Sequence, residues 1–149
     1  EMPVVPGPED SPPRLHFRTQ PEDSLATRIE ARMAKGRPPD RLDGKPGDGR
    51  TAMWARIPEV EVGSTTLAVL GDFVPSGIGQ ALGLPAGGNS LDNTLRVARV
   101  VPTDWVLLDI RIHAVDHGFG HGLVHLWATD GTLLGTASQS AIVRYWKDR

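Results

Sequence analysis

Four histidines, His113, His117, His121 and His125, recur every four residues, with Asp116 beside the second. On a helix that spacing would line four imidazoles along one face and suit a zinc ion. The segment between them reads Asp116-His117-Gly118-Phe119-Gly120-His121-Gly122, and glycine at every second position disfavours a helix interior. In strands joined by a glycine-rich turn the spacing alone puts the rings on no common face. The expectation is therefore histidines spread around a tight bend, with no metal and no cofactor. Nucleophilic chemistry has no better support. The chain has no cysteine, which removes thiolates, disulfides and Cys-ligated zinc. Ser76, Ser90, Ser138 and Ser140 lack a Gly-x-Ser-x-Gly frame, and no glycine-rich loop ends in Gly-Lys-Ser/Thr. What remains are single carboxylates, hydroxyls and amides, which become chemistry only if a fold brings them together.

A chain of 149 residues holds one hydrophobic core and hardly two full domains. Its net charge of −2 offers no electrostatic reason to expect nucleic acid or an anionic membrane as partner. No apolar run approaches the roughly 20 residues that span a bilayer. The start, Glu1-Met2-Pro3-Val4-Val5-Pro6, has neither a basic nor an apolar signal region, so a cytoplasmic location is expected. It also reads as the interior of something longer. Nine of the thirteen prolines fall in residues 1–50, which makes residues 1–23 a proline-rich arm or inter-domain linker. A domain over 24–149 follows, with a Gly/Pro-rich loop at 35–50.

Within that domain, residues 24–33 alternate, with Leu25, Thr27, Ile29, Ala31 and Met33 on one side and Arg28, Glu30 and Arg32 on the other, predicting a half-buried strand. Residues 51–57 predict a second. Ser64 is placed to cap a helix whose apolar residues, Leu67, Leu70, Phe73 or Val74, and Ile78, recur at three-to-four spacing. Pro75 should kink or end its first segment near Val74. Residues 91–101, 105–113, 123–128, 132–137 and 141–146 read as strands, and Thr129-Asp130-Gly131 as a hairpin turn. One helix among six or seven antiparallel strands is an α+β layer arrangement. Trp54, Trp105, Trp127 and Trp146 are expected as core or interface anchors.

Several short motifs, in this order, carry a resemblance over residues 63–146: Leu70-Gly71-Asp72-Phe73, Asn89-Ser90-Leu91-Asp92-Asn93-Thr94-Leu95, Asp104-Trp105-Val106-Leu107-Leu108, and the run from Asp130-Gly131-Thr132 through Ala137-Ser138-Gln139-Ser140 to Arg144. Together they resemble the C-terminal half of the type II, TesB-like acyl-CoA thioesterases. These are double-hotdog proteins, in which each hotdog is a long central helix packed on a curved antiparallel sheet. The resemblance implies that fold here. It also implies hydrolysis of fatty acyl-CoA to fatty acid and CoA by a water held between an Asp, a Ser or Thr and a Gln.

Carried over residue by residue, the trio falls on Asp72, Ser90 and Gln139; Asp92 and Arg144 also match and are expected to be structural. A carboxylate can take the water's proton, while a hydroxyl and an amide hold the water in place. Backbone N–H groups near the helix start or around Gly87-Gly88 are candidates for the oxyanion. The implied partners are the acyl-CoA substrate and an N-terminal hotdog, a second copy of the chain, or both. The alternative is a non-catalytic acyl-CoA-binding or structural subunit. A hydratase with an Asp/His pair is a third class.

Overall fold

Alternation of apolar and polar residues dominates the second half of the chain, and that half forms the middle of a sheet. The computed structural model describes residues 1–16 and 20–146. Seven strands run as β1 (Glu30–Lys35), β2 (Arg50–Arg56), β3 (Ala86–Ser90), β4 (Thr94–Val97), β5 (Val106–Asp116), β6 (Phe119–Ala128) and β7 (Leu133–Tyr145). They build one antiparallel sheet in the order β1-β2-β5-β6-β7-β3, with β4 also paired to β7. The expected arms and domain limits include residues 17–19 and 147–149, which lie outside the described residues.

The glycine-rich segment is less of a bend than its composition implies. Only His117 and Gly118 turn the chain, at φ of 47° and 81°, the left-handed pair that a two-residue hairpin turn needs. Gly120 and Gly122 continue into β6 because the helix packs directly onto them. A Cβ on Gly120 would stand 2.8 Å from Ile78 Cδ1, and one on Gly122 would stand 3.0 Å from Val74 Cγ1. The second hairpin turns at Asp130-Gly131, where Asp130 Oδ1 accepts the Thr132 N–H at 2.9 Å. Beyond it the runs 132–137 and 141–146 are one continuous strand, β7.

Two other strand expectations shift. Residues 25–28 are a single helical turn, α1 (Leu25–Arg28), and the strand begins only at Glu30. Its partner β2 ends at Arg56, opposite Glu30. Pro58 follows and has no N–H to extend the ladder, so residues 24–29 close their hydrogen bonds locally, Thr27 N to Ser24 O at 3.1 Å. The run 91–101 supplies only β4. Leu91 still donates its N–H to Ser140 O, but Asp92 and Asn93 leave the ladder, and the Asp92 side chain takes the Ser140 N–H.

Across the inner face of the sheet lies a helical rod over residues 64–82, in three joined pieces: α2 (Ser64–Leu70), a 3₁₀ segment (Gly71–Gly77) and α3 (Ile78–Leu82). Gly63 rather than Ser64 takes the cap position, and its N–H reaches Thr66 Oγ1 at 3.4 Å. The change of helix type comes at Gly71, earlier than Pro75 alone would place it, and Asp72 sits off helical geometry at φ −87°, ψ 28°. Leu67, Leu70, Val74 and Ile78 are all buried. The first three pack with Met53, Leu108, Ile110, Val124, Leu126 and Leu134 of the sheet. Burying each such side chain contributes about 1.5–3 kcal/mol. This is the α+β hotdog arrangement that the resemblance implies.

The outer face carries Trp54, Trp105, Leu107 and Trp127, covered in part by Met2 and Val5 of the arm. Trp54 Nε1 donates to Pro6 O at 2.8 Å. The arm then runs beside β1, where Met33 N donates to Pro12 O and Arg14 N to Ala31 O, both at 2.8 Å. The loop between β1 and β2 is pinned to the end of the rod by Gly44 N to Gly83 O at 2.9 Å and Gly47 N to Ala81 O at 2.8 Å.

Candidate active site

Strand β7 turns Ala137, Gln139, Ala141 and Val143 inward, and all four are buried. A glutamine in that apolar row must find polar partners or leave its amide unsatisfied. Its Nε2 donates to Asp72 Oδ1 and, at 2.8 Å, to Ser90 Oγ. One amide thus uses both hydrogens to join the middle of the rod to the end of β3. The opposite placement of the amide would press its carbonyl oxygen against the Asp72 carboxylate. Ser90 passes the chain on by donating to Asp92 O at 3.0 Å. Gln139 Oε1 is buried without a partner among the described residues, whereas Asp72 and Ser90 are both exposed.

Two irregularities make room for this convergence. Along β7, Ser90 of β3 stands opposite Ala141, and Thr94 of β4 stands opposite Ser138. Gln139 and Ser140 therefore face the gap between the two edge strands. Asp92 Oδ1 fills part of it by accepting the Ser140 N–H at 2.7 Å, and Leu91 N donates to Ser140 O at 2.8 Å. The helical rod is irregular at the same level, at Asp72. Asn93 Nδ2 ties the two breaks together by donating to Gly71 O at 3.4 Å. Asp92 thus has the structural role expected of it, a role Asn93 shares and the sequence did not point out.

The histidines do not converge. His117 occupies the hairpin turn beside Asp116, and His121 Nδ1 lies 3.0 Å from Ser140 Oγ. His125 lies in β6 stacked on Trp127, opposite Asp109. Burial pushes its imidazole below the usual range, with the Asp109 carboxylate partly opposing. Among the described residues no three His, Asp or Glu side chains are placed to hold a metal. Gly87 and Gly88 are ladder residues of β3, opposite Arg144 and Val143, and not a turn.

Cavities open on the surface. One, about 720 Å³, lies between residues 56–62 and 100–104 and shares no residue with the trio. A second, about 210 Å³, is lined by Pro75, Ser76, Gly87, Gly88 and the arm. A third, about 260 Å³, lies between the arm, β1 and α3. Among the described residues no helix is long and apolar enough to cross a membrane.

Comparison with known proteins agrees with this architecture. No curated protein matches the chain significantly. Among solved structures, a protein from Novosphingobium aromaticivorans provisionally named a thioesterase is 34% identical, with a TM-score of 0.79 over 95% of this chain and 53% of its own. A hotdog-fold protein of unknown function from Alicyclobacillus acidocaldarius (22% identity, TM-score 0.80) is covered over 56% of its length by 99% of this chain. The acyl-CoA thioesterase II TesB2 of Mycobacterium marinum (22% identity, TM-score 0.68) is covered over 56% of its length by 98% of it. At these identities the last two establish the fold, and the chain spans a little over half the length of all three. The sequence pattern of the acyl-CoA thioesterase C-terminal domain matches residues 8–143, and the chain belongs to that family.

Proposed function

We propose that this domain hydrolyses fatty acyl-CoA thioesters to free fatty acid and CoA, with Asp72, Ser90 and Gln139 handling the attacking water. The observation that carries the reading is the fully buried Gln139 amide, which donates to both Asp72 and Ser90. Gln139 holds the carboxylate; Asp72 and Ser90, both open to solvent, receive the water. The water donates one hydrogen to Asp72 and the other to the remaining lone pair of Ser90 Oγ. Its own lone pair then faces the thioester carbon. As the C–O bond forms, Asp72 takes the proton. Collapse of the tetrahedral intermediate breaks the C–S bond, and the departing thiolate recovers that proton. No covalent acyl-enzyme is required.

General-base catalysis of this kind contributes about 10²- to 10⁴-fold. Asp72→Asn should keep the fold and lose at least about 100-fold in kcat, read as CoA thiol release from a protein containing this domain. Undiminished turnover would remove the assignment. The solved relatives are nearly twice as long, which supports a working unit that includes a second hotdog, supplied by an N-terminal half or by another copy of the chain. A non-catalytic acyl-CoA-binding subunit would instead bind acyl-CoA and release no thiol.

A further inference from the structure

The arm places Arg14 between two of the cavities. It lines the 210 Å³ cavity with His16, Pro75, Ser76 and Gly88, and the 260 Å³ cavity with Leu15, Met33 and Gln80. Ser76 also belongs to both walls, so the two spaces meet at Arg14 and the rod. Among the described residues no aspartate or glutamate lines either cavity. A guanidinium carries five N–H donors, yet among the described residues that of Arg14 has no hydrogen-bond or carboxylate partner. Its guanidinium lies over the Phe73 ring, 5.6 Å from the centroid.

The other basic side chains that line these walls among the described residues are accounted for. Arg37 donates to Asp43 Oδ1, Lys45 O and Gln80 O. His16 is pushed below the usual imidazole range, first by burial and then by Arg14 itself. Burial also lowers Arg14, though a guanidinium keeps its charge. A half-buried positive charge with no counter-ion beside it is left poorly compensated. A concave, carboxylate-free wall around it gives an anion the place to compensate it.

The position relates this charge to the trio. Phe73, beneath the guanidinium, directly follows Asp72. Gly88, on the cavity wall, precedes Ser90 by two residues of β3, about 7 Å of strand. We propose that Arg14 binds an anionic group of the substrate, a carboxylate or phosphate carried by the acyl-CoA whose thioester lies at Asp72 and Ser90. The inference rests on the thioesterase reading for the identity of that substrate. Its test is equilibrium binding, which does not depend on turnover.

Three non-hydrolysable thioether probes separate the sources of charge: an alkyl-CoA, an ω-carboxyalkyl-CoA of equal length, and an alkyl-pantetheine without phosphates. Each is titrated calorimetrically into the full-length protein and its Arg14→Gln and Arg14→Lys variants, with thermal unfolding as the check on folding. Loss of a charge-assisted contact should weaken binding about 10- to 100-fold in Arg14→Gln, with Arg14→Lys intermediate. If the ligand is a distal carboxylate, the loss is confined to the ω-carboxyalkyl probe. If it is a phosphate, both CoA probes weaken and the pantetheine probe does not. Equal affinities for wild type and Arg14→Gln on all three probes would overturn the proposal, as would an equal loss on the uncharged alkyl-pantetheine. Failure of the thioesterase reading would appear separately, as absent thiol release from acyl-CoA.

Discussion

Gln139→Met separates what the amide does for the fold from what it does for the site. Methionine keeps an unbranched chain of similar length in the buried row of β7 and removes every polar atom of the amide. On the debit side are two hydrogen bonds, to Asp72 and to Ser90. Both acceptors are exposed, so water replaces the donor and the net loss is about 1 kcal/mol for each bond. On the other side, the variant removes Gln139 Oε1, a buried oxygen without a described partner, whose desolvation costs about 1–3 kcal/mol. The two sides nearly cancel, so stability should stay within about 1 kcal/mol of wild type, a Tm change of no more than roughly 4 °C. Catalysis has no such compensation. The Asp72 carboxylate loses the donor that orients it, and misplacement of a catalytic group costs on the order of 100-fold, about 2.7 kcal/mol of barrier. Scanning calorimetry and a thiol-release assay on one preparation give both numbers. Turnover within about threefold of wild type would show that Gln139 does not position the base. A loss above about 3 kcal/mol of stability would show that the unpaired oxygen is not the burden supposed here.

Further perturbations probe how the scaffold holds the trio. Gly79→Ala would put a Cβ 2.5 Å from Ala86 O and 2.9 Å from Leu84 O; overpacking against backbone should cost about 1–3 kcal/mol. Because Ala86 begins the strand that ends at Ser90, Tm and thiol release should fall together, and an unchanged Tm would contradict the close approach. Glu30 is held below the usual carboxylate range, first by the Arg56 hydrogen bond and against a smaller opposing effect of burial. A lowered folded value contributes stability above the unfolded carboxylate pKa and loses it as pH falls through the folded one. Glu30→Gln should therefore cost less than about 1 kcal/mol at pH 7, with the gap closing in acid denaturation series; a gap that widens toward low pH would reverse the sign. Trp54→Phe removes the bond to Pro6 O and should cost about 1 kcal/mol, with faster limited proteolysis in residues 1–12 if the arm is held there.

The meander was legible because its cues are local: Asp130-Gly131 makes a turn, and the runs on either side of it, 123–128 and 132–137, are rich in strand formers. Gln139 lies between the runs 132–137 and 141–146, and only the resemblance pointed to it and to its partners. The glycines of β6 were misleading, since glycine signals a bend and a close packing contact equally well, and only the position of Val74 and Ile78 across from Gly122 and Gly120 separates the two. The start of β1 was lost for a reason remote in sequence, the end of its partner before Pro58. Arg14 gave no signal at all, because an arginine in a proline-rich arm looks solvated until the arm is laid against β1.

The trio owes its geometry to two departures from regular structure that coincide. A continuous α-helix would keep residue 72 in helical geometry with its backbone bonds closed; Gly71 and the 3₁₀ segment break that pattern and leave Gly71 O to be met by Asn93. A continuous edge strand would carry residues 91–93 along the ladder past Gln139; instead Ser90 ends β3, and Asp92 turns back to close the Ser140 N–H. Either break alone exposes backbone groups that need new partners. Placed at the same level, the strand break supplies through Asn93 the partner that Gly71 O of the rod needs, and Gln139 spans the space between them. Gln139 therefore fits its buried position only because both breaks are present: with either element regular, its amide would face apolar side chains. The same two breaks leave Asp72 and Ser90 open to water at the surface, which is what a site that must admit a hydrolytic water requires.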